Sequence, residues 1–207
     1  MGLGRLLLFV FATAASIPAC AAVLVHNDTS PQGGTVVEIV DTIGYPDFAP
    51  VAAVLNASAA KSTGPCAINV WLDSTGGDID AAMKIGRLIH EARSCVRVGR
   101  FSRNAPNSVC ASACVLILAA GTNRSADASV GIHRPYSLLG VDTERAQARY
   151  LAALERIRTY LQEMGMPTQL YDEMMRVSAA SVHWLTRDEK QQLGLSRQNL
   201  AAGSTFH

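Results

Sequence analysis

A serine hydroxyl becomes a nucleophile when a neighbouring base takes its proton and hydrogen-bond donors hold the oxyanion that forms. Three segments of this 207-residue chain carry residue types suited to those roles. In Cys110-Ala-Ser-Ala-Cys114, Ser112 sits between two alanines that leave room for a substrate carbonyl, at the entrance to an apolar run. A helix starting there adds partial positive charge, with the Ala113 N–H as an oxyanion donor. The ordinary use of serine at such a place is a helix N-cap, and this segment alone fits capping as well. Gly131-Ile-His133-Arg-Pro135 ends an extended run in a histidine, the base that Ser112 needs. The remaining histidines are His26 in a polar lead-in, His90 late in a helical pattern, His183 and the terminal His207. Asp73-Ser-Thr-Gly-Gly-Asp78 is a glycine turn whose backbone a substrate can approach, although such turns are commonly structural.

The elements that must hold these groups follow from periodicity. Thr35–Val40 is β-branched and predicts a strand, and Tyr45–Ala60 a helical stretch with Pro46 in its first turn. Ala67–Leu72 predicts a buried strand ending in the turn at Asp73–Gly77. Asp78–Ala92 then repeats apolar residues at helical spacing, with Ile85 off the stripe. Cys95–Gly99 is a short strand, Phe101–Ser108 a loop, and Ala113–Ala120 a buried helix. Ser129–His133 is a strand, and Asp142–Met164 the longest helical pattern, with Ala146, Tyr150, Ala153, Leu154, Ile157 and Leu161 on one stripe. Gly165 and Pro167 end it, followed by helices at Thr168–Val177 and Thr186–Leu193. Strands alternating with helices predict an α/β domain with a mainly parallel sheet, whose reacting groups sit at the carboxyl ends of strands.

Composition excludes several classes. Hydrophobic residues make up 49% and charged residues 17%, enough apolar surface for a core. Eighteen basic against seventeen acidic residues give a formal charge of +1, with no basic field or motif for nucleic acid. Residues 1–25 form a short basic start and an uncharged apolar run, as in a secretory signal peptide cleaved near Ala19-Cys20-Ala21-Ala22. Residues 6–25 are also long enough for an uncleaved membrane tether, and Cys20 for a lipoprotein anchor, although Pro18 fits neither well. All three place the domain outside the cytoplasm, most simply in a periplasm. Residues 26–34 are expected as a flexible lead-in, 35–198 as the domain and 199–207 as a flexible tail. Beyond Cys20, Cys66, Cys95, Cys110 and Cys114 form an even set that suits disulfides in an exported chain, or else buried thiols. No cysteine–histidine spacing suits a metal, and no cofactor is implied.

Taken together, the motifs resemble the proteolytic subunit of the Clp protease. Asp73-Ser-Thr-Gly-Gly77 looks like that family's Ser-Pro-Gly-Gly turn, with Thr75 in place of the proline. Ser112 is followed nine residues later by Gly121, as the family nucleophile is by its glycine. Val130-Gly-Ile-His133-Arg-Pro135 is similar to the strand ending in the family histidine, and Trp184–Leu195 to the closing segment. The resemblance spans roughly Val36 to Leu195 and is nearest to exported, cysteine-bearing ClpP-like proteins. It implies a ClpP/crotonase-like fold with Ser112 as nucleophile and His133 as general base. Gly77 and Ala113 become the oxyanion-hole donors, and the Asp142–Met164 helix resembles the family's oligomerising handle. Where the family places an aspartate, this chain has Ser181-Val182-His183, which leaves Ser181, another carboxylate or a bare dyad. The fold also makes neighbours of Cys66 and Cys95, which implies a Cys66–Cys95 bridge. Cys110–Cys114 is then left to clamp the turn around Ser112.

The expectation is an exported serine hydrolase, a ClpP-like peptidase acting on peptide or protein substrates through an acyl-enzyme, and a homo-oligomer. The alternative is a catalytically inactive scaffold in which Ser112 only caps a helix. A crotonase-type acyl-CoA activity fits export poorly. A Ser–Lys dyad finds no suitable segment around Lys61, Lys84 or Lys190.

Overall fold

The structure is a computed structural model that describes residues 22–27, 34–59, 66–101, 105–136 and 144–196. The expected leader up to residue 21, most of the lead-in, Lys61 and the tail at 199–207 lie outside the described residues.

An eight-stranded sheet carries six helices. The strands are β1 (Ala22–Asn27), β2 (Thr35–Ile43), β3 (Ile68–Gly77), β4 (Cys95–Val98), β5 (Val109–Ala111), β6 (Asn123–Ser125), β7 (Ser129–Ile132) and β8 (His183–Trp184). The helices are α1 (Phe48–Ala59), α2 (Ile79–Glu91), α3 (Cys114–Ala119), α4 (Glu144–Glu163), α5 (Thr168–Arg176) and α6 (Arg187–Gln192). Five pairings are parallel: β2 with β3, β3 with β4, β3 with β5, β4 with β6 and β5 with β7. The two antiparallel pairings lie at the ends, β1 on β2 and β8 on β7.

Both faces of β2 are covered, which is why Val36 to Val40 form an unbroken buried run. β3 instead alternates, with Ile68, Val70, Leu72 and Ser74 turned into the core and Asn69, Trp71 and Asp73 half-exposed. β3 also runs through Asp73–Gly77, where the sequence predicted a turn, because both neighbours supply partners there. Ile43 of β2 pairs with Gly77, and Cys110 of β5 pairs with Ser74.

β1 occupies residues that the sequence assigned to the end of the leader and the lead-in. It is held by its ladder to β2 and by His26, whose Nε2 lies 2.9 Å from the buried Glu38 carboxylate. Leu24 and Val25 remain exposed, so no burial pattern marked this strand. β5, β6 and β8 are two or three residues long, too short for an alternation to register.

Asp78 caps α2 by accepting from the Ala81 N–H at 2.7 Å. Ile85, expected off the stripe, is fully buried in a column with Ala81 and Ile89 at i, i+4 spacing. All six residues of α3 are buried. In α4 the expected stripe holds in the second half, at Ile157 and Leu161. In the first half only Ala146 is buried, and Leu151 is 56% exposed. Among the described residues, no helix is long and apolar enough to cross a membrane.

Tyr160 locks α4 onto the core. Its buried hydroxyl donates to the Leu116 carbonyl of α3 at 2.7 Å, and burial pushes its pKa far up. The ring passes over Gly86 of α2, where a Cβ would overlap the phenolic oxygen. Two buried cations fasten the C-terminal segment. Arg124 donates to the carbonyls of Ala119, Gly121 and Gly194, and Lys190 to those of Ala126 and Ala128. Burial lowers the Lys190 pKa.

Chemical denaturation tests the Tyr160 lock. Tyr160→Phe leaves a buried carbonyl without its donor and costs about 1–2 kcal/mol. Gly86→Ala crowds the hydroxyl and costs about 1–3 kcal/mol. Because both act on the same oxygen, the double variant is expected to lose less than the sum of the two.

Candidate active site

β3, β5 and β7 deliver their ends to one place, and Ser112 stands at the corner between β5 and α3. Its backbone is left-handed, with φ at 56°, an unusual state for a residue with a Cβ. The corner is held by the Ser112 N–H, which donates to the Gly131 carbonyl of β7 at 3.0 Å. The Ser112 carbonyl accepts from the Val115 N–H, also at 3.0 Å. The N-cap of α3 is Ala113, without a side-chain capping bond, so capping does not account for Ser112. Among the described residues the half-buried Ser112 hydroxyl has no hydrogen-bond partner.

Gly76 makes this corner possible. Its φ is 105°, and a Cβ there would lie 2.7 Å from Ser112 Cβ, 2.8 Å from the Ala111 oxygen and 3.0 Å from the Ala113 nitrogen. Bare backbone at 76 thus leaves Ser112 its space and keeps the Ala113 N–H uncovered. Gly77, named from the sequence as an oxyanion donor, pairs with Ile43 at the end of β2. Gly76 is the glycine in contact with Ser112, and nothing in the motif distinguished the two.

His133 follows directly on β7, on the strand neighbouring β5. It is 6% exposed, and Tyr136 lies edge-on to it with ring centroids 5.3 Å apart. Its Nδ1 lies 2.7 Å from the Arg134 carbonyl oxygen. A carbonyl only accepts, so Nδ1 carries the proton and Nε2 of the neutral ring keeps its lone pair. The Arg134 N–H donates to the Val177 oxygen, which holds the peptide between His133 and Arg134.

Ser181, expected as the third member, does not serve His133 in this arrangement, because its hydroxyl donates to the Ser178 carbonyl at 3.3 Å. The antiparallel β7–β8 ladder ends with Ile132 opposite His183, so His133 and Val182 are the next residues beyond it on their two strands. Val182 and Trp184 crowd Gly131 and are themselves exposed. His183 turns to Glu189 at 2.8 Å, within the capping box of α6 that also holds the Glu189 carboxyl at a pKa of about 2. The lysines considered for a dyad are engaged elsewhere, Lys190 on backbone carbonyls and Lys84 over the Tyr45 ring.

The four cysteines among the described residues form two pairs. Cys66 joins Cys95 with Cα atoms 4.7 Å apart, and Cys110 joins Cys114 with Cα atoms 5.3 Å apart, around Ser112. Among the described residues, no cluster of three or more His, Cys, Asp or Glu side chains suits a metal ion.

Gly76→Ala tests the closeness of the two backbones. The methyl group would displace Ser112 or the Ala113 amide, so a folded variant is expected to lose reaction at Ser112 by at least about tenfold. A crystal structure of the variant is expected to show the 111–113 backbone moved.

No protein-family model and no curated protein sequence matches the chain. Among solved structures it is similar to ClpP1 from Listeria monocytogenes, solved as a point mutant, with a TM-score of 0.58 and 21% identity. That match covers 78% of this chain and 88% of the other. A likeness of this kind establishes architecture, and the chain has the ClpP-like fold.

Proposed function

We propose that the chain is an exported serine hydrolase, a ClpP-like peptidase that works through an acyl-enzyme on Ser112. The observation that carries this reading is the left-handed Ser112, with its hydroxyl uncommitted and bare glycine backbone beside it. A non-glycine residue in this conformation costs about 1–2 kcal/mol, and capping gives no return for it here. In the proposed reaction His133 Nε2 takes the Ser112 proton as the hydroxyl oxygen attacks the substrate carbonyl. The N–H groups of Ala113 and Gly77 face the oxyanion, and the imidazolium then protonates the leaving amine. Water repeats the cycle in reverse to release the acyl group. The apolar start of the chain would act as the export signal, and the exposed first half of α4 would serve as a contact between copies.

A second reading, the inactive scaffold, is favoured by one observation: among the described residues His133 bonds to a backbone carbonyl and to no carboxylate. A fluorophosphonate probe separates the two. The wild-type chain is expected to label, whereas Ser112→Ala and His133→Ala are not. No labelling of wild type over hours, in a folded sample, selects the scaffold.

Val182→Asp puts a carboxylate just beyond the end of the β7–β8 ladder, as His133 is on the other strand, and is expected to stabilise the imidazolium. It is expected to raise the labelling rate about tenfold or more, measured under the same conditions. A rate that stays flat would show that His133 is not acting as the base.

A further inference from the structure

Ser112 lies at the centre of a five-residue ring closed by Cys110 and Cys114, and both ends of that ring are anchored. Cys110 is the middle residue of β5, in register with Ser74 of β3 and Val130 of β7. Cys114 is the first residue of α3, whose side chains are all buried. The bridge therefore joins a strand held on both sides to a helix held by the core, across the corner where φ of Ser112 is 56°.

We infer that Cys110 and Cys114 are positioning residues that brace Ser112 in its left-handed, reactive conformation; the inference rests on the hydrolase reading above. The brace is needed because little else acts on the corner. Ala111 and Ala113 offer only a methyl group each, and the Ser112 side chain makes no hydrogen bond of its own. What remains is the Ser112 N–H bond to Gly131 and the first turn of α3. A chain free to relax would carry Ser112 back toward an ordinary φ, moving its oxygen and the Ala113 N–H together.

Burial makes the brace permanent. Cys110 and Cys114 are both 0% exposed, so a solution thiol has no line of attack on either sulfur in the folded chain. The other bridge has a different task. Cys66 and Cys95 tie the starts of β3 and β4, where Cys95 pairs with Asn69, roughly 17 Å from Ser74 along β3 at about 3.3 Å per residue. Its removal is thus a control for losing a disulfide without touching the corner.

The test compares full-length wild type, C110A/C114A and C66A/C95A by hydrogen exchange and by fluorophosphonate labelling. In C110A/C114A the Ser112 amide is expected to exchange about tenfold faster or more. The maximal labelling rate is expected to fall about tenfold or more, with the half-saturating probe concentration unchanged. C66A/C95A is expected to melt earlier yet keep wild-type exchange at Ser112 and the wild-type maximal rate. If C110A/C114A does not fold, C110S/C114S takes its place with the same expectations. Wild-type labelling by folded C110A/C114A, or by folded C110S/C114S in its place, overturns the inference. If wild type takes no label at all, the hydrolase reading fails by itself and exchange decides: acceleration at Ser112 supports the brace, and wild-type protection there overturns it.

Discussion

Ser74 is buried at the point where β3 gives up β4 as a neighbour and takes β5, and the geometry of the site follows from that exchange. Its hydroxyl donates to the Asp41 carbonyl, just past the irregularity in β2, and accepts from the Gly76 N–H at 3.1 Å. One residue earlier, the Asp73 carboxylate accepts from the Val109 N–H at 3.0 Å and so fixes where β5 begins. Two polar side chains on successive residues thus bind the strands on either side of β3. With β2 and β5 both set, Gly76 has one place to go, against Ser112. The sheet divides here because a hydroxyl and a carboxylate satisfy backbone groups that a continuous ladder would otherwise pair.

Energetics at the corner balance on a small scale. Holding a serine left-handed costs about 1–2 kcal/mol. The chain-entropy treatment of a cross-link closing so short a loop gives about 2 kcal/mol in the other direction. The Ser112 N–H bond to Gly131 adds about 1 kcal/mol. These contributions are comparable, so the conformation of Ser112 depends on the bridge and the β7 carbonyl together.

Much of this was legible in the chain, and the illegible parts share a cause. Long buried elements such as β2, α2 and α3 announce themselves because burial imposes apolar runs or helical spacing. Ser112, His133 and the glycine pair stood out because strand ends followed by small residues are where a parallel sheet exposes chemistry. β5 and β8 have three and two residues, and what makes them strands is their partners, not their own composition. Gly76 and Gly77 are indistinguishable as letters; only the register against Ile43 decides which of them meets Ser112. The partner of His133 was invisible for a similar reason. A backbone carbonyl has no letter in the sequence, and a search for a carboxylate or hydroxyl passes over it.

That carbonyl separates two jobs that an aspartate performs at once in a serine triad: fixing the tautomer of the histidine and stabilising its positive charge. Replacing such an aspartate by an amide costs about 10⁴ in rate, largely because the amide can donate and so holds the wrong tautomer. The Arg134 oxygen can only accept, so it fixes the tautomer and orients the ring of His133. What it lacks is charge. On the proposed reading the loss is therefore smaller than an amide would inflict, since the base is aimed correctly and only its protonated form is less favoured. On the same reading the rigid corner at Ser112 matters more, because alignment must carry what electrostatics does not.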